Sequence, residues 1–385
     1  MNTNTPSKLS LDSAQFVVLD SLRGIAAVAV AYFHYNSNWA GYLAVDFFFV
    51  LSGFILTHSY LHQTRHDNSI FGFIVNRVAR LYPLHIFTTI TFALAIYITQ
   101  DSWPSYGKDH LFTLFQQATL TQNIGFNPSG LTWNYPSWSI SVEFWTGILF
   151  FILVKKSTKS SHLFFASLFL LIVIYNHTKH LDIHAQNFYA FVNSGVIRCL
   201  ASFLLGILIY RAHKEMGFLQ SKLWITLLEL ICLGLIFLVI FYREDKLNEA
   251  DFFSPYIFAL SILIFSLEGG LFSAMLKPLN FLGKISYSVY LNQITILIIC
   301  TYICAKWPAL SSYRLSIYLS LLTVFSVLTY IVIEKPLKKQ IKKLYLLYKQ
   351  RKHVHDLLIY QPIENGIRST LDRVPLRTNN DKLET

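Results

Sequence analysis

The stretch FVVLDSLRGIAAVAVAYFHYN, residues 16–36, contains only three side chains that carry charge near neutral pH: Asp20, Arg23 and His34. A helix needs about 20 mostly apolar residues to cross a hydrocarbon core of roughly 30 Å, so this segment is long enough to span a membrane. Working outward, the same test picks out 41–60, 81–99, 138–154, 162–176, 190–210, 223–242, 252–270, 285–304 and 313–334. The segment 162–176 is short, and 110–120 (HLFTLFQQATL) is a weaker apolar stretch expected to lie in the interface or to re-enter the membrane. The expected fold is therefore all-α, a polytopic membrane bundle of about ten transmembrane helices. It divides into an N-terminal segment over 1–15, a transmembrane domain over 16–336 and a basic, partly disordered tail over 337–385.

Composition points the same way. Of 385 residues 54% are hydrophobic and 14% charged, where a soluble domain carries about 25% charged residues. The polar start, Met1 to Ser13, lacks a charged patch followed by a cleavable apolar core. No signal peptide is expected, and the first spanning helix is expected to direct insertion. Cys199, Cys232, Cys300 and Cys304 all fall in apolar stretches without C-x-x-C spacing or companion histidines, so neither a metal nor a disulfide framework is expected.

The net charge of +11 raises the question of nucleic acid, but the charges are distributed as a topology signal. With the N-terminus inside, the inner loops and tail hold twenty Lys and Arg residues against six outside, eight of the twenty between Lys335 and Lys352. Short cytoplasmic loops retain positive charge, so both termini are expected in the cytoplasm. The run IKKLYLLYKQRKH reads as a basic amphipathic helix on an anionic inner leaflet. Membrane lipid is thus an expected partner and nucleic acid is not. The sequence carries no sign of its oligomeric state.

Ionisable residues inside spans are costly and usually line a cavity or a site. Here they are Asp20, Arg23, His34, Asp46, Glu143, Arg198, Glu229 and Glu334. Asp20 and Arg23 are three apart and can pair on one helix face. Eleven steps from Arg23 to His34 make almost three turns, so the two share a face about 16 Å apart along the axis. A lone histidine in an apolar helix is more often packed than catalytic, but this one has company. By position along their spans, Asp46 and Glu143 are expected level with His34, and Arg77, Arg80 and Glu334 level with Arg23. An imidazole suits removal of a hydroxyl proton near pH 7. A carboxylate can hold the ring. The planar guanidinium fork of arginine suits an oxyanion or phosphate oxygens. Arg77 and Arg80 could hold a nucleotide-like donor's phosphates or simply anchor the span at the positive inner side.

The segment LDSLRGIAAVAVAYFHY closely resembles the opening of the acyltransferase-3 family of membrane O-acyltransferases, in which an Arg, ten residues and a His mark the first helix. The resemblance continues through DFFFVLSGFIL, RVARLYP, SWSISVEFW, LGKISYSVYL and YIVIEKP, in order over about residues 19–336. It implies an acyl-CoA donor on the cytosolic side, acetyl-CoA being the expected form. It also implies a glycan or glycolipid acceptor such as a polysaccharide or a lipopolysaccharide sugar, in an inner (plasma) membrane. It implies functional roles for Arg23, His34, Arg77, Arg80 and Glu143. His34 is expected as general base or transient acyl carrier, Arg23 to orient the donor, Arg77 and Arg80 to bind coenzyme A, Glu143 to orient His34 or bind the acceptor, and Asp46 to bind substrate. Two departures stand out. Many relatives follow Ser-Tyr-Ser-x-Tyr-Leu with Trp-His, where this chain has Asn292 and Gln293. Some relatives carry an extra soluble hydrolase-like domain, which a tail of roughly fifty residues is too short to hold. A chain of this kind is expected to act alone or with a separate partner. The alternative reading is a transporter of a glycan intermediate or small anion, with the ionisable residues lining its path.

Overall fold

The computed structural model describes residues 16–62, 69–154, 159–183, 187–188, 192–218, 221–242 and 248–352. The N-terminal segment 1–15 and the chain beyond 352, expected as a cytoplasmic lead and a polar tail, lie outside the described residues. The helices are α1 (Val17–Tyr35), α2 (Ala44–His62), α3 (Ile70–Gln100), α4 (His110–Thr119), α5 (Trp138–Val154), α6 (Ser160–Thr178), α7 (Ser194–Glu215), α8 (Lys222–Phe241), α9 (Ser254–Phe265), α10 (Leu271–Leu276), α11 (Asn280–Lys306) and α12 (Arg314–Thr329). A two-stranded antiparallel ribbon pairs Asn187–Phe188 with Val192–Asn193. Each of the ten predicted spans falls on a helix. Eight helical segments among the described residues are long and apolar enough to cross a membrane. The other two are α5, at 17 residues, and α9, at 12. The protein is an all-α membrane bundle. Large apolar side chains such as Phe165 and Phe169 on α6, and Trp224, Ile231 and Phe237 on α8, stand exposed on the outside of the bundle, as lipid-facing residues do.

Element ends follow local chemistry. Hydropathy starts the third span at 81, but α3 begins at Ile70, where the Ser69 hydroxyl accepts from the Gly72 amide at 3.0 Å and caps the helix. Arg77 and Arg80 thus project from inside a 31-residue helix instead of preceding it. The segment 110–120 forms α4, whose ten residues are too few to cross. After α12 the chain takes a π-helical turn over Tyr330–Glu334, with the Lys335 amide donating to the Tyr330 carbonyl. Pro336 explains the widening, because it has no N–H and its ring would clash with the carbonyl four residues back. The helix then continues to Lys352.

Two glycine crossings set how closely the helices approach. At Gly24 a Cβ would run into Leu282 and the backbone of Gly283, and a Cβ on Gly283 would collide with the Asp20 carbonyl. At the α2–α7 crossing, Gly53 and Gly206 face each other and leave no room for a side chain on either. Small residues at such crossings allow close van der Waals packing where lipid supplies no hydrophobic drive. Beside the second crossing lies a fully buried ion pair. The Arg198 Nε and Nη2 donate to Asp46 Oδ1 and Oδ2 at 3.0 and 2.8 Å, and Ser202 and Ser254 donate to the same carboxylate. Arg198 also donates to the carbonyls of Leu181 and Tyr42. Glu229, the carboxylate of α8, accepts from the Phe272 and Ser273 amides and so caps α10.

Gly53→Leu and Gly206→Leu are expected to abolish assembly, read as loss of the monodisperse peak in fluorescence-detected size exclusion. Gly234→Ala, in α8 where a Cβ meets open space, is expected to raise stability by up to about 1 kcal/mol.

Candidate active site

Where α1 meets α11, the Arg23 guanidinium is held from three sides. It pairs with Asp20 at 3.1 Å, donates from Nη2 to the Gly283 carbonyl at 2.7 Å, and donates from Nε to Ser286 Oγ at 3.0 Å. The glycine crossing makes this possible, because a bulkier residue at 24 or 283 would push the guanidinium out of reach of the α11 backbone.

Arg23 lines a cavity of about 340 Å³ that also receives Arg77, Arg80 and Leu81 of α3, Glu143 of α5, Ser52 of α2, and Lys284, Tyr287 and Tyr290 of α11. The π-helical turn presents Tyr330 and Glu334 to the same cavity, and Lys338 lies one turn beyond. Glu334 accepts from Ser288 Oγ at 2.8 Å. Arg77 is nearly fully buried and donates from Nη2 to both the carboxylate and the backbone carbonyl of Glu143 at 3.1 Å. Gly147 leaves space for it, since a Cβ there would sit 3.3 Å from the guanidinium. The Ser52 hydroxyl donates to the same Glu143 oxygen at 2.8 Å. Asp20 and Glu143 thus offset Arg23 and Arg77. Arg80, Lys284 and Lys338 make no hydrogen bond or ion pair among the described residues, and only Glu334 stands against them. The cavity carries a net positive charge with three cations available to a ligand.

The expected layering holds for Arg23, Arg77, Arg80 and Glu334, which line one cavity. It fails for Glu143, which joins the arginines instead of lying level with His34. The reason is the connection before α5. Its residues Leu120, Gln122, Asn123, Asn127, Thr132, Asn134 and Ser137 are buried, and Asn134 Nδ2 donates at 2.9 Å to the carbonyl of Leu291, midway along α11. The segment dips into the bundle, so α5 starts deep and Glu143 lies deeper still. Asp46 lies apart from the cavity, fully buried, with both oxygens bonded to Arg198. His34, in the last turn of α1, lies outside the cavity lining, half-buried with its ring edge-on to Tyr135 at 5.6 Å.

Sequence reasoning missed Lys284 and Lys338, whose charges look like ordinary anchoring, and the hydroxyls of Ser52, Ser139 and Tyr290. The signal for Tyr290 was present: Ser286, Tyr287, Ser288 and Tyr290 form a hydroxyl-rich run in an otherwise apolar helix, where polar groups are kept for a use. Among the described residues no three His, Cys, Asp or Glu side chains converge as a metal-binding group.

A family model described as an acyltransferase domain matches residues 16–333, and the chain belongs to this acyltransferase-3 family. Over 317 residues it is 23% identical to a putative peptidoglycan O-acetyltransferase, YrhL, of Bacillus subtilis, covering 74% of this chain and 49% of that protein. Over 316 residues it is 25% identical to the O-acetyltransferase OatA of Staphylococcus aureus, covering 73% of this chain and 50% of that one. A shorter match, 40% identical over 78 residues, is to protein 2 in the picA locus of Rhizobium radiobacter, covering 19% of this chain and 41% of that protein. The chain thus spans about half or less of the length of these relatives. No solved structure matches it.

Glu143→Ala would strand the buried Arg77 guanidinium and is expected to cost about 3 kcal/mol. Glu143→Gln, which keeps a hydrogen-bonding oxygen for Arg77 and Ser52, is expected to cost less. Thermal unfolding of the detergent-purified variants separates the two.

Proposed function

We propose that the protein is a membrane O-acetyltransferase that takes an acetyl group from cytosolic acetyl-CoA and passes it to a hydroxyl of a cell-surface glycan or lipid-linked sugar. The observation that carries the reading is the positively charged cavity at the Arg23 end of α1, in a chain of the acyltransferase family. Its orientation follows from the lysine and arginine bias, which places the cavity toward the cytosol and His34 toward the outer side. The names of two relatives, both O-acetyltransferases and one of peptidoglycan, favour a polymeric glycan as acceptor.

In this reading Arg80, Lys284 and Lys338 hold the donor's phosphates, the task for which unpartnered cations are suited. Arg77, tied to Glu143, fixes the wall they stand on. Arg23 guides the donor into the bundle. A regular α1 keeps Arg23 about 16 Å from His34, so the arginine acts on the body of the donor and not on the reacting carbonyl. At the other end the neutral His34 imidazole takes the acceptor's hydroxyl proton as its oxygen bonds to the thioester carbonyl carbon. The tetrahedral adduct collapses by breaking the carbon–sulfur bond, and the departing coenzyme A thiolate recovers the proton from the imidazolium. Glu143 acts through Arg77, and Asp46 supports the α2–α7 pair without touching substrate.

His34→Ala is expected to lower acetyl transfer at least a hundredfold with normal expression, measured as thiol release in proteoliposomes and as O-acetyl content of the surface glycan. Undiminished transfer would refute the role of His34. Arg80→Ala is expected to weaken donor binding by tenfold or more, about 1.5–3 kcal/mol for a lost charged hydrogen bond, while leaving the melting temperature unchanged. Uptake or flipping of a glycan intermediate without thioester consumption would favour a transporter instead.

A further inference from the structure

Gln293 of α11 is fully buried, and neither Oε1 nor Nε2 of its carboxamide has a hydrogen-bond partner among the described residues. A buried amide left in that condition is costly, and native proteins retain such groups where a ligand or function uses them. Its position identifies the ligand. Ser286, Tyr290 and Gln293 follow i, i+4, i+7 spacing and so form one stripe along α11. The first two line the cation-rich cavity, and the Tyr290 hydroxyl lies 2.7 Å from that of Ser139 at the cavity wall. Gln293 is the next position along the stripe.

The register of α1 against α11 places it further. The two helices run in the same direction, with Asp20 against Gly283 and Arg23 bonded to Ser286, an offset of 263 residues. Carried along both helices, that offset sets Gln293 level with Val30, about 6 Å or one turn before His34. Gln293 therefore stands between the cavity and the histidine, on the side from which the donor comes.

We propose that Gln293 binds the pantetheine arm of the acyl-CoA donor, pairing with the amide nearest the thioester; this rests on the O-acetyltransferase reading above. That amide nitrogen is four bonds from the thioester carbonyl carbon, a spacing comparable with the single turn separating Gln293 from His34. A carboxamide with a free donor and a free acceptor is the complement of an amide, which offers one of each. A glycan hydroxyl at the reaction centre would approach from beyond His34. Gln293 is thus a positioning residue for the donor. It registers the thioester against the imidazole, and small errors of placement there are costly in rate.

The test compares turnover of acetyl-CoA with that of its isostere in which the N–H of this amide is replaced by oxygen. Full-length wild type, Gln293→Leu and Gln293→Met are reconstituted in proteoliposomes. Wild type is expected to favour acetyl-CoA about tenfold in kcat/KM, and both variants are expected to use the two donors equally well. Both variants are also expected to melt no lower than wild type, because no protein hydrogen bond is lost. Unaltered discrimination in the variants, a change confined to the acceptor's KM, or a lowered melting temperature in both would overturn the inference. Failure of the wild type to release thiol from either donor would instead bring down the acetyl-CoA reading itself, and this inference with it.

Discussion

The close approach of α1 and α11 at Gly24 and Gly283 controls the rest of the site. Two helices separated by ordinary side chains would keep Arg23 on its own surface, paired only with Asp20. With no side chain at either glycine, the guanidinium reaches the Gly283 carbonyl and Ser286 on the opposite helix. That contact locks the register of the two helices. The register in turn decides which residues of α11 rise toward His34. In lipid, where apolar burial gives little preference for one packing over another, shape fit and polar contacts of this kind set the arrangement.

Charge is sorted around this pair by burial. Arginines that lie deep are neutralised: Arg77 by Glu143 and Arg198 by Asp46. Cations that make no hydrogen bond or ion pair among the described residues, Arg80, Lys284 and Lys338, face the cavity. A buried charge without a partner is far too costly to keep, whereas one facing a hydrated cavity retains its solvation and remains available to an anion. The π-helical turn forced by Pro336 adds Glu334 to the wall, where it moderates the field without cancelling it.

Toward the His34 end the polar groups are amides and hydroxyls instead of charges. The inward dip between α4 and α5 brings Asn134 to the middle of α11 and Tyr135 to the edge of His34.

Run length and charge density alone indicated a helical membrane bundle and put each predicted span on a helix, eight helical segments among the described residues being long and apolar enough to cross, because a lipid core demands long apolar helices whatever their neighbours. The Asp20–Arg23 pair was likewise legible, since helical spacing places the two side chains together. Position along a span was a sound guide for Arg77, Arg80 and Glu334. It misled for Glu143, because a buried polar connection, invisible to hydropathy, starts α5 deep in the bundle. Asp46 and Arg198 are 152 residues apart, and no local pattern announces such a pair. Only the packing of α2 on α7 consumed the Asp46 carboxylate, and only the packing of α11 on α1 bonded Arg23 to Ser286 and to the Gly283 carbonyl. Both outcomes depend on which helix faces meet, a choice made by side-chain shape across distant segments and not by the periodicity of either one.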